Sequence, residues 1–241
     1  MIVPLIHGLG CSKDSFKDVW KFPEYEKYTV LAFDLLGFGN SSKPKDFSYT
    51  VEEHVEICKL AIEELNLERI HLVGHSMGGA IGLLLAEKIG GKVISFTNLE
   101  GNLVGEDCTL SREAIRYSLE DFETRAFQAL KSKVSGTKEL LGPTIMSQRL
   151  LYKWLSKSAP YAFYKSSESL VNWSDSGKLL RMFIDLDISK HYIFGELNRN
   201  SAVVRLLAPV PKTQISSSGH FMMVDNPQEF YRRLFRILSV E

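Results

Sequence analysis

Apolar positions along the first hundred residues alternate between two rhythms. Short apolar runs at 2–6, 29–33, 70–73 and 93–97 read as buried strands. Between them lie amphipathic stretches. Val51, Val55, Cys58, Ile62 and Leu65 recur at helical spacing, and Thr50 with Glu53 forms a capping-box pair at the start of that face. A second helix is predicted over 77–89, opening just after the strand at 70–73 breaks at Gly74. Strands alternating with helices in this way predict a mostly parallel, doubly wound sheet of the α/β class.

Over 101–187 the rhythm changes to helical, aromatic-rich sequence carrying Phe122, Phe127, Trp154, Tyr161, Phe163, Tyr164 and Trp173. These rings would either line a pocket or pack the segment against itself and the core. Alternation resumes with a strand at 191–194, a helix near 201–207, a strand at 213–215 and a closing helix from Pro227 through Leu238. The chain therefore reads as an α/β core, 1–100 and 188–241, interrupted by a helical cap over 101–187. Such a cap would cover the carboxyl ends of the strands, where open α/β sheets bind ligands.

Composition narrows the partners. Lys+Arg and Asp+Glu both number 29, so there is no net charge to draw the chain to nucleic acid or an anionic membrane. A small neutral or apolar substrate fits better. The three cysteines, Cys11, Cys58 and Cys108, have neither metal-ligand spacing nor a disulfide pattern, and read as free thiols in a reducing compartment. The opening MIVPLIHGLG lacks the charge and apolar length of a signal peptide, and no apolar run reaches 18 residues. The expectation is a cytoplasmic protein without a membrane span, needing no metal or organic cofactor.

Chemistry concentrates in two places. Gly74-His75-Ser76-Met77-Gly78 satisfies G-x-S-x-G between a strand and a helix. A turn that sharp strains Ser76, presents its hydroxyl at the tip, and aims the Met77 N–H where an oxyanion would form. The glycines let neighbouring backbone pass close. A serine hydroxyl needs an imidazole to take its proton. Of the six histidines, His7 and His75 belong to turns, His54 to a helix, and His71 and His191 to strands. His220, in Ser218-Gly219-His220, alone occupies a loop beyond the last strand, and it follows the serine in chain order.

With these motifs in place, the sequence resembles the α/β-hydrolase superfamily, in its serine-nucleophile, esterase- and lipase-like branch. His7-Gly8-Leu9-Gly10 is similar to its oxyanion loop, and the run Asp34 to Ser41 is similar to its D-x-x-G-x-G-x-S turn. The resemblance implies that the Leu9 N–H is the second oxyanion donor, that His7 and Gly8 shape the loop, and that Asp34 is structural. It also implies strands before the His-Gly strand that are shortened or absent here. The strand at 29–33 would then be an apolar sheet edge, open to pairing as a homodimer or left bare in a monomer.

The family's usual acid position, in a G-x-x-D pattern, reads Gly195-Glu196-Leu197-Asn198, and asparagine cannot carry the charge. One branch of the haloalkane dehalogenases places the acid one strand earlier. That branch uses an aspartate nucleophile, so only the acid's location transfers. Here Glu100 stands at that place, with Glu196, then Asp185, Asp187 or a dyad without acid, as alternatives. The implied activity is a carboxylesterase-like serine hydrolase working through an acyl-enzyme on Ser76. The same machinery also serves carbon–carbon bond hydrolysis, lyase, acyltransferase or cofactor-free peroxidase chemistry, or survives as a vestigial triad in a ligand-binding receptor.

Overall fold

The computed structural model describes residues 1–136 and 144–239. Its strands are β1 (Ile2–Ile6), β2 (Thr29–Ala32), β3 (Ile70–His75), β4 (Val93–Leu99), β5 (Ser189–Gly195) and β6 (Lys212–Ile215). They form one parallel sheet in the order β2-β1-β3-β4-β5-β6, which puts β2 at one edge and β6 at the other. Chain order reverses between β1 and β3. Loops leaving these two neighbours therefore diverge and open a crevice at the carboxyl end of the sheet. The strands β3 and β4 run two residues beyond their apolar runs. Register explains this, because His75 pairs with Leu99 and Leu99 with Ile193, which continues both ladders to a common end.

Helix α1 (Val51–Glu64) starts where Thr50 Oγ1 accepts the Glu53 N–H at 3.2 Å. Helix α2 (Met77–Ile89) is apolar over most of its surface and packs on β1, β3, β4 and α1, so it is a buried helix. Gly78 and Gly79 permit that depth. A Cβ on Gly78 would strike the carbonyls of Ile6 and His7, and one on Gly79 would strike the backbone of Gly101.

Between β4 and β5 the described chain is helical: α3 (Thr109–Ala114), α4 (Leu119–Asp121), a wide turn at Phe122–Ala126, α5 (Phe127–Gly136), α6 (Ile145–Leu155), α7 (Pro160–Asp175) and α8 (Lys178–Asp185). Residues 137–143 of the stretch expected to form the cap lie outside the described residues. Polar side chains fasten α7 to the start of α1. Ser166 donates to the Tyr49 carbonyl at 3.0 Å, Ser169 accepts from the Val51 N–H at 3.0 Å, and Trp173 donates to Glu52 at 2.7 Å. The rings of this segment mostly pack on one another, with Phe163 stacked on Phe122 at 5.9 Å and tilted against Phe127 at 5.6 Å. Three short helices complete the chain's return: α9 (Ala202–Leu206), α10 (Met222–Asp225) and α11 (Pro227–Leu238). The hydroxyls of Tyr25 and Tyr28 clamp α11 by donating to the carbonyls of Tyr231 and Leu238, at 2.8 and 3.0 Å. All three cysteines are buried and free. Among the described residues no helix is long and apolar enough to cross a membrane.

Phe183 joins the helical segment to the sheet. It is fully buried on α8, edge-on to Phe96 of β4 at 5.7 Å. Phe183→Ala is expected to lower unfolding free energy by about 3–5 kcal/mol, the cost of a large core cavity, measured by urea titration.

Candidate active site

Ser76 stands between β3 and α2 at φ 54° and ψ −125°, outside the regions open to unstrained L-residues. A conformation of this kind costs on the order of 1–3 kcal/mol and persists only where its surroundings over-determine it. Here they do. The Ser76 N–H donates to the Leu99 carbonyl at 3.1 Å, and its own carbonyl accepts the Gly79 N–H at 2.7 Å. Any side chain on Gly74 would collide with the backbone of Gly78 and Gly79. A Cβ on Gly8 would stand 2.9 Å from the Ser76 Cβ, so the loop carrying Leu9 passes directly beside the serine. Met77 opens α2, where the first N–H groups of a helix have no acceptor within it.

Glu100 follows β4 as Ser76 follows β3, and the His75–Leu99 register sets the two residues level. It too is left-handed, at φ 43°, and its N–H donates to the Ile193 carbonyl at 3.0 Å. The nearly buried carboxylate gathers three donors. Oε1 accepts the Gly195 N–H at 2.7 Å, while Oε2 accepts Asn198 Nδ2 at 2.8 Å and His220 Nδ1 at 2.8 Å. With Nδ1–H engaged, the neutral His220 ring keeps Nε2 as a lone-pair acceptor. The His220 carbonyl accepts His75 Nε2–H at 2.9 Å. Burial, with the His220 ring 4.5 Å away, holds His75 well below the usual imidazole range, so it is a neutral prop.

The other sequence-predicted residues have different surroundings. Glu196 is turned to the neighbouring loop, accepting the Ser217 N–H at 2.8 Å with Arg199 at 3.7 Å. Asp185 and Asp187 are exposed. His7 is buried. Its Nε2 accepts the Leu35 N–H at 3.0 Å and its Nδ1–H reaches the Gly8 carbonyl at 2.8 Å, while burial lowers its pKa. Asp34 accepts N–H groups from Lys13 and Asn40, both at 2.8 Å. Burial opposes its ionisation, but these bonds hold the carboxyl below its ordinary range.

Ser76, His220, Glu100 and Leu9 line one cavity of about 210 Å³, together with Asn102, Leu110, Leu151, Leu170, Phe194 and Phe221. The aromatic residues on its wall are Tyr192, Phe194 and Phe221; none of the rings named for 101–187 is among them. Its lining includes Glu106 and Asp107 but no Lys or Arg among the described residues. Nor, among those residues, does any group of three or more His, Cys, Asp or Glu offer a metal site.

Two features escaped the sequence. The first is the partner of Asn198, whose amide donates to Glu100 Oε2. An amide at that position was the available signal. Asp107 lines the cavity with Oδ2 accepting the Leu103 and Val104 N–H groups at 2.9 and 3.1 Å. Burial, reinforced by Glu100, pushes its pKa up to about 6. Nothing in its sequence context marks it.

The sign of the Asp107 effect is testable. A carboxyl raised in the folded state stabilises the protein below its unfolded pKa, and that contribution is lost as pH rises through about 6. Asp107→Asn keeps an oxygen for the two N–H groups and cannot ionise. Its stability relative to wild type should therefore rise between pH 4.5 and pH 8 by on the order of 2 kcal/mol, read as a growing Tm difference.

Residues 2–179 match the family described as alpha/beta hydrolase fold. A probable lysophospholipase of Arabidopsis thaliana, BODYGUARD 4, is 42% identical over 97 residues, covering 39% of this chain and 23% of that protein. The aligned stretch is thus less than a quarter of the relative's length. Among solved structures, an esterase from Exiguobacterium antarcticum superposes with a TM-score of 0.79 at 16% identity, covering 99% of this chain and 92% of the other. The enol-lactonase from Burkholderia xenovorans LB400 superposes at 0.80 and 16%, covering 99% and 91%. At that identity the likeness is one of fold.

Proposed function

The chain belongs to the α/β-hydrolase fold family, and from that premise we propose that it is a serine hydrolase acting on a carboxylic ester or related acyl bond. The observation that carries this reading is the 2.8 Å contact between Glu100 Oε2 and His220 Nδ1 on the cavity that Ser76 enters. In the proposed reaction His220 Nε2 takes the proton from Ser76 Oγ as the oxygen attacks the substrate carbonyl. Glu100 holds the ring in the required tautomer and stabilises the imidazolium. The N–H groups of Leu9 and Met77 receive the oxyanion. Collapse expels the alcohol, protonated by His220, and leaves an acyl group on Ser76. Water, activated by the same imidazole, then releases the acid.

Asn198 supports an intact site over a vestigial one. Its amide occupies the usual acid position yet spends a hydrogen bond on Glu100, as a supporting residue would. The wall supports a neutral substrate, because Glu106 and Asp107 repel an anionic group and no described cation offsets them. The names of the relatives point the same way: lysophospholipase, esterase and enol-lactonase all denote cleavage of an acyl–oxygen bond. The helices between β4 and β5 act in this reading as the cap, lending Leu110, Leu151 and Leu170 to the cavity wall.

A fluorophosphonate is expected to label the wild-type protein at Ser76 and to leave Ser76→Ala unlabelled. On p-nitrophenyl esters of graded acyl length, Glu100→Gln should lower kcat by about 10²–10⁴-fold. Glu196→Gln should stay within about threefold of wild type. A large loss in Glu196→Gln with little in Glu100→Gln would refute the assignment of the acid.

A further inference from the structure

The loop that carries His220 is fixed from several sides. The Ser216 N–H donates to Glu229 at 3.0 Å, the Ser217 N–H to Glu196 at 2.8 Å, and the Gly219 N–H to Asp225 Oδ2 at 3.0 Å. Among the described residues, only the last of these anchors also holds the helical segment between β4 and β5. The other oxygen of Asp225, Oδ1, accepts the hydroxyls of Thr144 at 2.7 Å and Ser147 at 2.5 Å. Thr144 is the N-cap of α6, its Oγ1 accepting the Ser147 N–H at 3.2 Å. Each hydroxyl can thus give its proton to the carboxylate while Thr144 keeps its capping role. A negative charge at this end of the helix also meets the positive end of the helix dipole.

The same helix reaches the cavity. Leu151 of α6 forms part of its wall, and Trp154 packs on Phe221 at 5.8 Å. Phe221 in turn lies edge-on to the His220 ring at 5.3 Å. One carboxylate therefore fixes both the peptide preceding His220 and the helix that closes the cavity beside it.

We infer that Asp225 is a positioning residue that couples the seating of α6 to the orientation of His220. The inference rests on the serine-hydrolase reading for its catalytic consequence, though the coupling itself does not. Asp225 touches neither substrate nor reacting atoms. If α6 lifts, Thr144 and Ser147 withdraw their hydroxyls from Asp225, and the Gly219 peptide loses a fixed partner. His220 then turns productively only when α6 is seated. Substrate that fills the cavity and holds α6 down would thereby complete its own catalytic site.

Two variants test this. Asp225→Asn keeps the shape and removes the charge. Thr144→Val combined with Ser147→Ala cuts only the α6 side and leaves the His220 loop's own contacts untouched. Both are expected to lower kcat on p-nitrophenyl esters by about ten- to a hundredfold, the cost of a misplaced catalytic group, with KM within about threefold. Both should also raise amide hydrogen exchange in residues 216–221 as well as in α6. A Thr144→Val/Ser147→Ala protein with wild-type kcat and wild-type exchange at 216–221 overturns the coupling, and that protein decides the matter alone should Asp225→Asn fail to fold. If wild type neither labels at Ser76 nor hydrolyses any ester, the serine-hydrolase reading fails separately. Exchange at 216–221 in the double variant then still decides the coupling.

Discussion

A carboxylate taken almost wholly out of water must find donors, and the Glu100 carboxylate finds them on three separate parts of the chain. The Gly195 N–H comes from the end of β5, the Asn198 amide from the turn after it, and the His220 Nδ1–H from the loop after β6. Unpaired, a buried charge of this kind would cost several kcal/mol. Satisfied, it gathers the carboxyl ends of β4, β5 and β6 at one point, so the contact that defines the candidate site also fixes the loops that bear it.

Parallel strand register makes that gathering possible. His75, Leu99 and Ile193 lie side by side across β3, β4 and β5, which brings the residues that follow each strand to one level. Ser76 and Glu100 both then turn through left-handed backbone, at φ 54° and 43°. Strain at both positions is held by surroundings with no room to relax. Gly8, Gly74 and Gly78 admit neighbouring atoms where any side chain would collide. A stiff pair of turns would preserve the geometry that the proposed proton transfer and oxyanion binding require, and would reorganise little as charge develops.

The helices between β4 and β5 complete this arrangement with a different kind of bonding. Phe122, Phe127 and Phe163 cement the segment internally, Trp154 and Phe183 pack it on the core, and polar contacts tie it further: Ser166, Ser169 and Trp173 at α7, and Thr144 with Ser147 at α6. Those at α7 meet the start of α1 and Tyr49 just before it. The contacts at α6 meet the loop that carries His220, so movement of that helix would be felt at the site.

Much of this was legible without coordinates. Alternating apolar runs and amphipathic stretches are enough for a parallel sheet with helices, because each element must bury a face of its own period. Gly74, Ser76 and Gly78 mark the strained turn because only particular residues fit it, and His220 follows from its place beyond the last strand. Asn198 could be recognised as a departure, but its bond to Glu100 could not, since 98 positions separate the two. The sequence put Glu100 ahead of Glu196, but only the fold shows that the Glu100 carboxylate meets the imidazole while Glu196 turns to the Ser217 peptide. The raised pKa of Asp107 and the junction of Asp225 with Thr144 and Ser147 were likewise beyond sequence. Local chemistry determines which turns and helices form. Burial and long-range hydrogen bonds depend on which distant segments meet, and only the folded chain decides that.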